Sequence, residues 1–405
     1  MFEASRLGFT LSVTIHYLFP MITIGGFFWL MVQSFSERVF QHKRDLYRLL
    51  FFVFVGITTG YVLKWHFSTF WPGYLGIVAE AFDPLLSLEA LLSMGGFILF
   101  TAIYVVGWKK RSKTLVRLSS IGFVITTLIS SVIIVSVNSW MQYPSGVQLV
   151  QGPLGTRLEF DTLKEVFWNP SYPTRLAHTL IGALMLGTTF QAVISKRWNS
   201  KPIIVLLVLW MAQFLIGHRH AAESYAFQPE KFAAFEGHGS TYSPADLWLF
   251  PGVNEKYNVR LSGMTSYLLY KDANHPVAGT DAWKEEFLTD KAKGVFQSYH
   301  LMVLAHFGVF GLLVLGLLMD KRKFKASVEL PWMIFTLLLL ANFSGWYTTE
   351  WGRQPWLIRG ILKTSDALNN EVDIWPYTGV LYSVLATIVP TVIFLGFKKR
   401  LLGSE

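Results

Sequence analysis

SRLGFTLSVTIHYLFPMITIGGFFWLMVQSFSE, residues 5–37, decides the fold. Between Arg6 and Glu37 it contains no Asp, Glu, Lys or Arg. A helix crosses the hydrocarbon core of a bilayer with about 20 apolar residues, and this run is longer than that. The same charge-free pattern returns from Arg175 to Lys196, Lys201 to Arg219, Lys293 to Asp320 and Asp373 to Lys398. Over its 405 residues the chain is 52% hydrophobic and 15% charged, where a soluble domain carries about 25% charged residues. One soluble core has no use for so many such runs. The fold class is all-α, a polytopic membrane bundle of about nine helices, expected near 8–33, 49–72, 85–108, 118–141, 174–194, 202–218, 296–319, 330–349 and 377–397.

Basic residues cluster after alternate helices. Arg38, Lys43, Arg44 and Arg48 follow the first, Lys109, Lys110, Arg111 and Lys113 the third, and Lys398, Lys399 and Arg400 the last. Positive residues stay on the cytoplasmic side, so the N-terminus is expected outside and the C-terminus inside. The net charge of +9 is then a topology signal, and no nucleic-acid partner is implied. The first run lacks the basic n-region and small-residue cleavage site of a signal peptide. With no cysteine, disulfides, iron–sulfur clusters and covalent c-type haem are excluded. The chain divides into helices one to six (1–218), an external loop (219–295) and helices seven to nine (296–405). A loop of that length in a compact protein usually carries function.

Ionisable side chains inside membrane helices are costly and mark function. They are few: His16, Lys64, His66, Glu89, His178, His300, His306 and Glu350, with Met302 as an apolar side chain that can ligate iron. With the topology above, nearly all fall toward the outer face, beside the long loop. Histidine and methionine are axial ligands of low-spin haem, and bundles hold haem between helices. A proton relay in a transporter would use the same residue types, so the residues alone leave both classes open.

The strings around these positions are informative. SRLGFTLSVTIHYLF (5–19), PLLSLEALL (84–92), NSWMQYP (138–144), RLAHTL (175–180), QPEKFAAFEG (228–237), SYHLMV (298–303) and EWGRQPW (350–356) occur in this order across the chain. Together they resemble the large, haem-carrying subunit of the cytochrome bd-type quinol oxidases, with a short external loop.

The resemblance implies roles. His178 and Met302 would ligate a low-spin haem b. His16, Glu89 and Glu350 would ligate or line two active-site haems, a high-spin haem b and a haem d (or a further haem b). Lys231 and Glu236 would bind quinol and accept its protons. Arg6 and Arg353 would meet haem propionates, as arginine suits bidentate carboxylate recognition. Trp140 and Gln142 would lie near the haems. The activity implied is oxidation of membrane quinol with reduction of oxygen to water, in the plasma or inner membrane of a prokaryote. The implied partners are a second membrane subunit, small single-helix subunits and lipid. A subunit that admits electrons but reduces oxygen poorly is the alternative. Three departures stand out. Ser93-Met94-Gly95-Gly96-Phe97 occupies the stretch where a second glutamate is usual, Lys64 stands where a glutamate is common, and His300 replaces an arginine. His306, one turn beyond Met302, is a competing ligand. His42, His218, His220 and His238 are expected at the surface.

Overall fold

The computed structural model describes residues 2–152, 155–160, 163–195, 198, 200–250, 259–283, 289–321, 329–369 and 371–372. Eleven α-helices appear among them: α1 (Phe2–Ser34), α2 (Lys43–Phe70), α3 (Pro72–Lys109), α4 (Lys113–Gln142), α5 (Leu163–Phe167), α6 (Tyr172–Ser195), α7 (Ser200–Phe227), α8 (Pro229–Glu236), α9 (Met264–Tyr270), α10 (Thr289–Lys321) and α11 (Glu329–Gly352). Eight of these (α1 to α4, α6, α7, α10 and α11) are long and apolar enough to cross a membrane. They are the first eight helices expected from hydropathy. The ninth, 377–397, lies outside the described residues, as does the basic cluster at 398–400. Three antiparallel strand pairs occur among the described residues: β1 (Val147–Gly152) with β2 (Gly155–Phe160), β3 (Leu247–Trp248) with β4 (Arg260–Leu261), and β5 (Trp356–Ile358) with β6 (Leu362–Lys363).

Helix α1 is the hub, packing against α2, α4, α6 and α11. Its contact with α6 is backbone on backbone. A Cβ on Gly25 would lie 2.1 Å from the Ala183 carbonyl oxygen, and one on Gly187 would lie 2.2 Å from the Gly25 carbonyl carbon. Small residues permit such approach where no hydrophobic force between helices exists in lipid. Helix α4 buries a polar stripe. Ser119, Ser120, Ser131 and Ser136 each donate to a carbonyl three or four residues back, which satisfies hydroxyls that have no water to bond.

Two boundaries differ from the hydropathy expectation. The Trp71–Pro84 segment reads as a connection, yet α3 begins at Pro72 and runs through Pro84. Tyr74, Val78 and Phe82 are buried at four-residue spacing, so one helical stripe faces the core. Likewise α7 continues past residue 218 to Phe227. An Arg219–Glu223 ion pair of 2.9 Å at i,i+4 supports that extension.

The periphery is apolar. Tyr61, Trp65, Leu91 and Ile98 on α2 and α3 are exposed, as are Val208 and Leu215 on α7. Such faces suit lipid or another membrane subunit. Lys64 is exposed on α2, where its stem can lie along apolar surface.

Candidate functional site: a cavity and a buried charge cluster

A cavity of about 500 Å³ lies among α6, α7, α8, α10 and α11, within the range of ligand pockets, about 300–1,000 Å³. His178, Met302, Lys231 and Glu236, predicted from separate strings, all line it. His178 and Met302 face it from different helices. Gln213 Nε2 lies 3.2 Å from His178 Nε2, and His178 Nδ1 is buried without a partner. Glycines stand against both side chains. A Cβ at Gly217 would lie 3.3 Å from His178 Cε1, and one at Gly345 would lie 2.8 Å from Met302 Sδ.

Helix α8 brings the loop to the cavity. Pro229 occupies its first turn and Gly237 ends it at φ 77°, the left-handed cap that favours glycine. All its residues from Glu230 to Glu236 are buried. Arg359 fixes it from the C-terminal side through a two-bond fork to Glu230, at 2.7 and 2.9 Å. Burial, with the Arg175 charge, holds the Lys231 ammonium well below the usual lysine range, and Glu350 opposes this. Burial pushes the Glu236 carboxyl up to about 7, with the nearby Tyr299 hydroxyl opposing the rise.

Lys231 continues into a chain of hydrogen bonds. Its Nζ donates to Gln142 Oε1. Gln142 Nε2 donates to Asn138 Oδ1 at 3.1 Å, and Asn138 Nδ2 donates to Glu350 Oε1 at 2.9 Å. Glu350 Oε2 meets Arg353 at 2.5 Å. Glu350 and Gln142 are fully buried. Trp140, also fully buried, packs on Phe82 and donates to the Ser145 carbonyl.

His16, Glu89 and Glu350 stand around Tyr17. Its hydroxyl is buried without a partner, its ring stacks on Trp346 at 3.4 Å and lies 6.5 Å from the His16 ring. Glu350, Arg175 and Glu89 all act on it electrostatically. His16 Nδ1 lies 3.0 Å from Thr59 Oγ1. Glu89 Oε1 accepts from Ser93 and Ser130 at 2.6 and 2.5 Å. Further along α3 from Ser93, where a second glutamate is usual in the resembled family, Phe97 stacks with Phe27 and Phe123 at 5.7 and 6.2 Å. Arg6 lies half-buried on α1, ten residues before His16.

Of the four histidines expected at the surface, His218 is exposed, and His238 and His220 need correction. His238 is 1% exposed, with Nε2 2.9 Å from the Asp246 carbonyl oxygen. His220 is half-buried, lines the cavity and lies 5.5 Å from the His178 ring. Because α7 continues as helix, residue 220 stays against α6. His218 is exposed at the cavity rim, and His42 is half-buried beside Asp45. Two further histidines stand on α10. His300 is buried between the Phe296 and Trp248 carbonyls, at 3.0 and 2.8 Å. His306 stacks flat on Trp210 at 4.9 Å.

Arg175 was not singled out in the sequence. It is 5% exposed, lines the cavity and leaves Nε without a partner. It lies one turn before His178, a spacing that puts both on one helix face. Arg175, Lys231 and Arg353 act on one another and on Glu350, while nearby Glu223 and Glu230 are paired with Arg219 and Arg359. The cluster thus sets three buried cations against one carboxylate, Glu350, which is already paired with Arg353. Buried charge of one sign calls for a counter-charge.

A haem fits these observations. It brings two carboxylates, which the surplus cations would match. The imidazole and thioether lining the cavity are axial-ligand types, and the glycines beside them leave space a side chain would fill. Among the described residues no three His, Cys, Asp or Glu side chains converge as for a bare metal ion.

The profile of the family described as cytochrome bd terminal oxidase subunit I matches residues 4–401. The chain is 27% identical over 449 residues to the cytochrome bd ubiquinol oxidase subunit 1 of Bacillus subtilis (strain 168), covering 99% of this chain and 94% of that one. It is 23% identical over 470 residues to the cytochrome bd-II ubiquinol oxidase subunit 1 of Escherichia coli (strain K12), covering 90% and 89%. The solved bd oxidase from Geobacillus thermodenitrificans shares the fold with a TM-score of 0.79, 22% identity and 98% coverage of both chains.

Proposed function

This chain belongs to the cytochrome bd terminal oxidase subunit I family, and we propose that it oxidises quinol at the α8 cavity and delivers the electrons to an oxygen-reducing centre around Tyr17. As a subunit I it is a membrane-embedded, haem-dependent quinol oxidase chain that works with a second subunit. The finer assignments are our reading. The single observation that carries them is the meeting of His178, Met302, Lys231 and Glu236 on one cavity.

In this reading His178 and Met302 hold a low-spin haem b, and Arg175 meets a propionate of it. His16, Glu89 and Glu350 belong to the active-site haems, a high-spin b and a d or further b, with Arg353 and Arg6 as propionate partners. When bound, haem supplies one-electron transfer and, with an open axial position, oxygen activation. Lys231 positions a quinol oxygen by a charge-assisted hydrogen bond. Glu236, poised near neutrality, accepts a quinol proton. The amides of Gln142 and Asn138 orient Lys231 and Glu350 toward one another but do not themselves carry protons readily. Ser93 and Ser130 hold Glu89 for proton exchange at the active site. The N-terminus lies outside, 219–295 contains the quinol site, and the apolar faces of α2 and α3 meet the second subunit, small single-helix subunits or lipid.

One observation favours a second reading, in which the chain admits electrons but reduces oxygen weakly. Phe97, stacked with Phe27 and Phe123, stands on α3 near where the family usually carries a second glutamate. The test is the reduced-minus-oxidised spectrum and haem content of the intact complex, with quinol-driven oxygen uptake. A chlorin-type band with rapid uptake supports the oxidase. Haem b signals with negligible uptake support the second reading. Complete absence of haem in assembled complex refutes both.

A further inference from the structure

Glu230 precedes Lys231 on α8, and both are buried. Arg359 Nε and Nη2 donate to the two Glu230 oxygens at 2.7 and 2.9 Å, and its Nη1 donates to the Phe227 carbonyl at the end of α7. Planar two-bond pairing fixes direction as well as distance. Arg359 stands in the turn between β5 and β6, and its backbone N–H donates to the Met141 carbonyl at 3.0 Å. The next residue of α4, Gln142, receives α8. Gln228 Nε2 donates to the Gln142 carbonyl at 2.8 Å, and Lys231 Nζ donates to Gln142 Oε1. The last turn of α4 therefore carries both the turn that bears Arg359 and the side chains that enter α8. The Lys231 stem is confined on a third side, since a Cβ at Gly352 of α11 would lie 3.0 Å from its Cγ.

We infer that Arg359 is a positioning residue of the quinol site, locking the first turn of α8 onto the end of α4 so that the Lys231 ammonium keeps one place in the cavity. This rests on the assignment of the cavity to quinol and of Lys231 to its binding. Neither Arg359 nor Glu230 lines the cavity, so their effect reaches quinol only through α8. Without the guanidinium, Glu230 is a buried carboxylate stripped of its cation, and that cost favours an unseated α8. Quinol then binds only the seated fraction, and its apparent affinity falls by that fraction. Saturating quinol restores the seated state, so turnover at saturation is kept. A role in the stability of the bundle would instead lower haem content and turnover together.

The test is steady-state oxidation of a short-tailed quinol by the purified oxidase complex, beside its reduced-minus-oxidised spectrum. In Arg359→Gln the quinol KM should rise about tenfold, the scale of one charge-assisted hydrogen bond, with kcat and haem signals nearly unchanged. Arg359→Lys keeps the charge and loses the fork; it should raise KM by a smaller factor, and it carries the test where Arg359→Gln does not assemble. Glu230→Gln should also raise KM, and the double variant Arg359→Gln with Glu230→Gln should be no worse than Arg359→Gln alone, because the two side chains act as one unit. An unmoved KM in Arg359→Gln and Arg359→Lys, effects that multiply in the double variant, or a loss of kcat and haem in step each overturn the positioning role. Undiminished quinol oxidation in Lys231→Met overturns the quinol assignment itself.

Discussion

Replacing Gly345 by alanine tests whether Met302 ligates haem without touching the methionine. The added Cβ would lie 2.8 Å from Met302 Sδ, and ordinary contact begins at 3.4 Å. The sulfur must retreat by about 0.6 Å, whereas a ligand bond tolerates departures of about 0.2 Å. The shift is three times that tolerance, so axial ligation should fail in most molecules. The assay is the low-spin α-band in the reduced-minus-oxidised spectrum, with carbon monoxide as a probe of an opened iron position. More than half of the low-spin b signal should disappear and carbon monoxide binding should appear. Gly311→Ala is the control, since a Cβ there meets nothing within 4 Å, and it should leave the spectrum intact. A full low-spin signal in assembled Gly345→Ala protein would refute the reasoning, and His306 would become the ligand to test.

Three further outcomes follow from the same geometry. Lys231→Met keeps the side-chain length and removes a charged donor, so quinol turnover should fall by about 10- to 100-fold, the equivalent of one charge-assisted hydrogen bond, with haem content retained; steady-state kinetics beside a haem assay checks this. Glu236 must be ionised to accept a proton, and burial places its titration at about 7; quinol oxidation should therefore rise with pH through neutrality, and Glu236→Gln should flatten that limb. Gly25→Val drives a side chain into the Ala183 carbonyl, backbone that cannot rotate away; the assembled complex should lose about 3 kcal/mol or more of stability, read as a lower thermal midpoint and lower haem yield.

The spans were legible because hydropathy reports directly on transfer into lipid. His178 and Met302 were legible through the strings around them. What escaped reading has a common physical origin. Arg175 sits at the end of a charge-free run, where a cation ordinarily snorkels, and only tertiary packing reveals that it is buried against two other cations. The Phe235–Tyr299 stack arises because α8 docks onto α10 from far along the chain, which no local pattern encodes. The stretch Arg219–Phe227 is polar enough to read as loop, yet its periodicity continues α7. His238 looked like a loop histidine because its neighbours are Gly237, Gly239 and Ser240, and only its contact with Asp246 accounts for its burial.

The glycine crossing of α1 and α6 bears on electron tunnelling, whose rate falls steeply with separation. In the proposed assignment α1 carries a ligand of one haem, His16, and α6 a ligand of another, His178. Main chain rests on main chain at Gly25 and Gly187, with no side chain between to change rotamer. The two helices therefore act as a spacer of fixed length, and the gap across which electrons jump is insulated from whatever the loop does when quinol arrives or quinone departs.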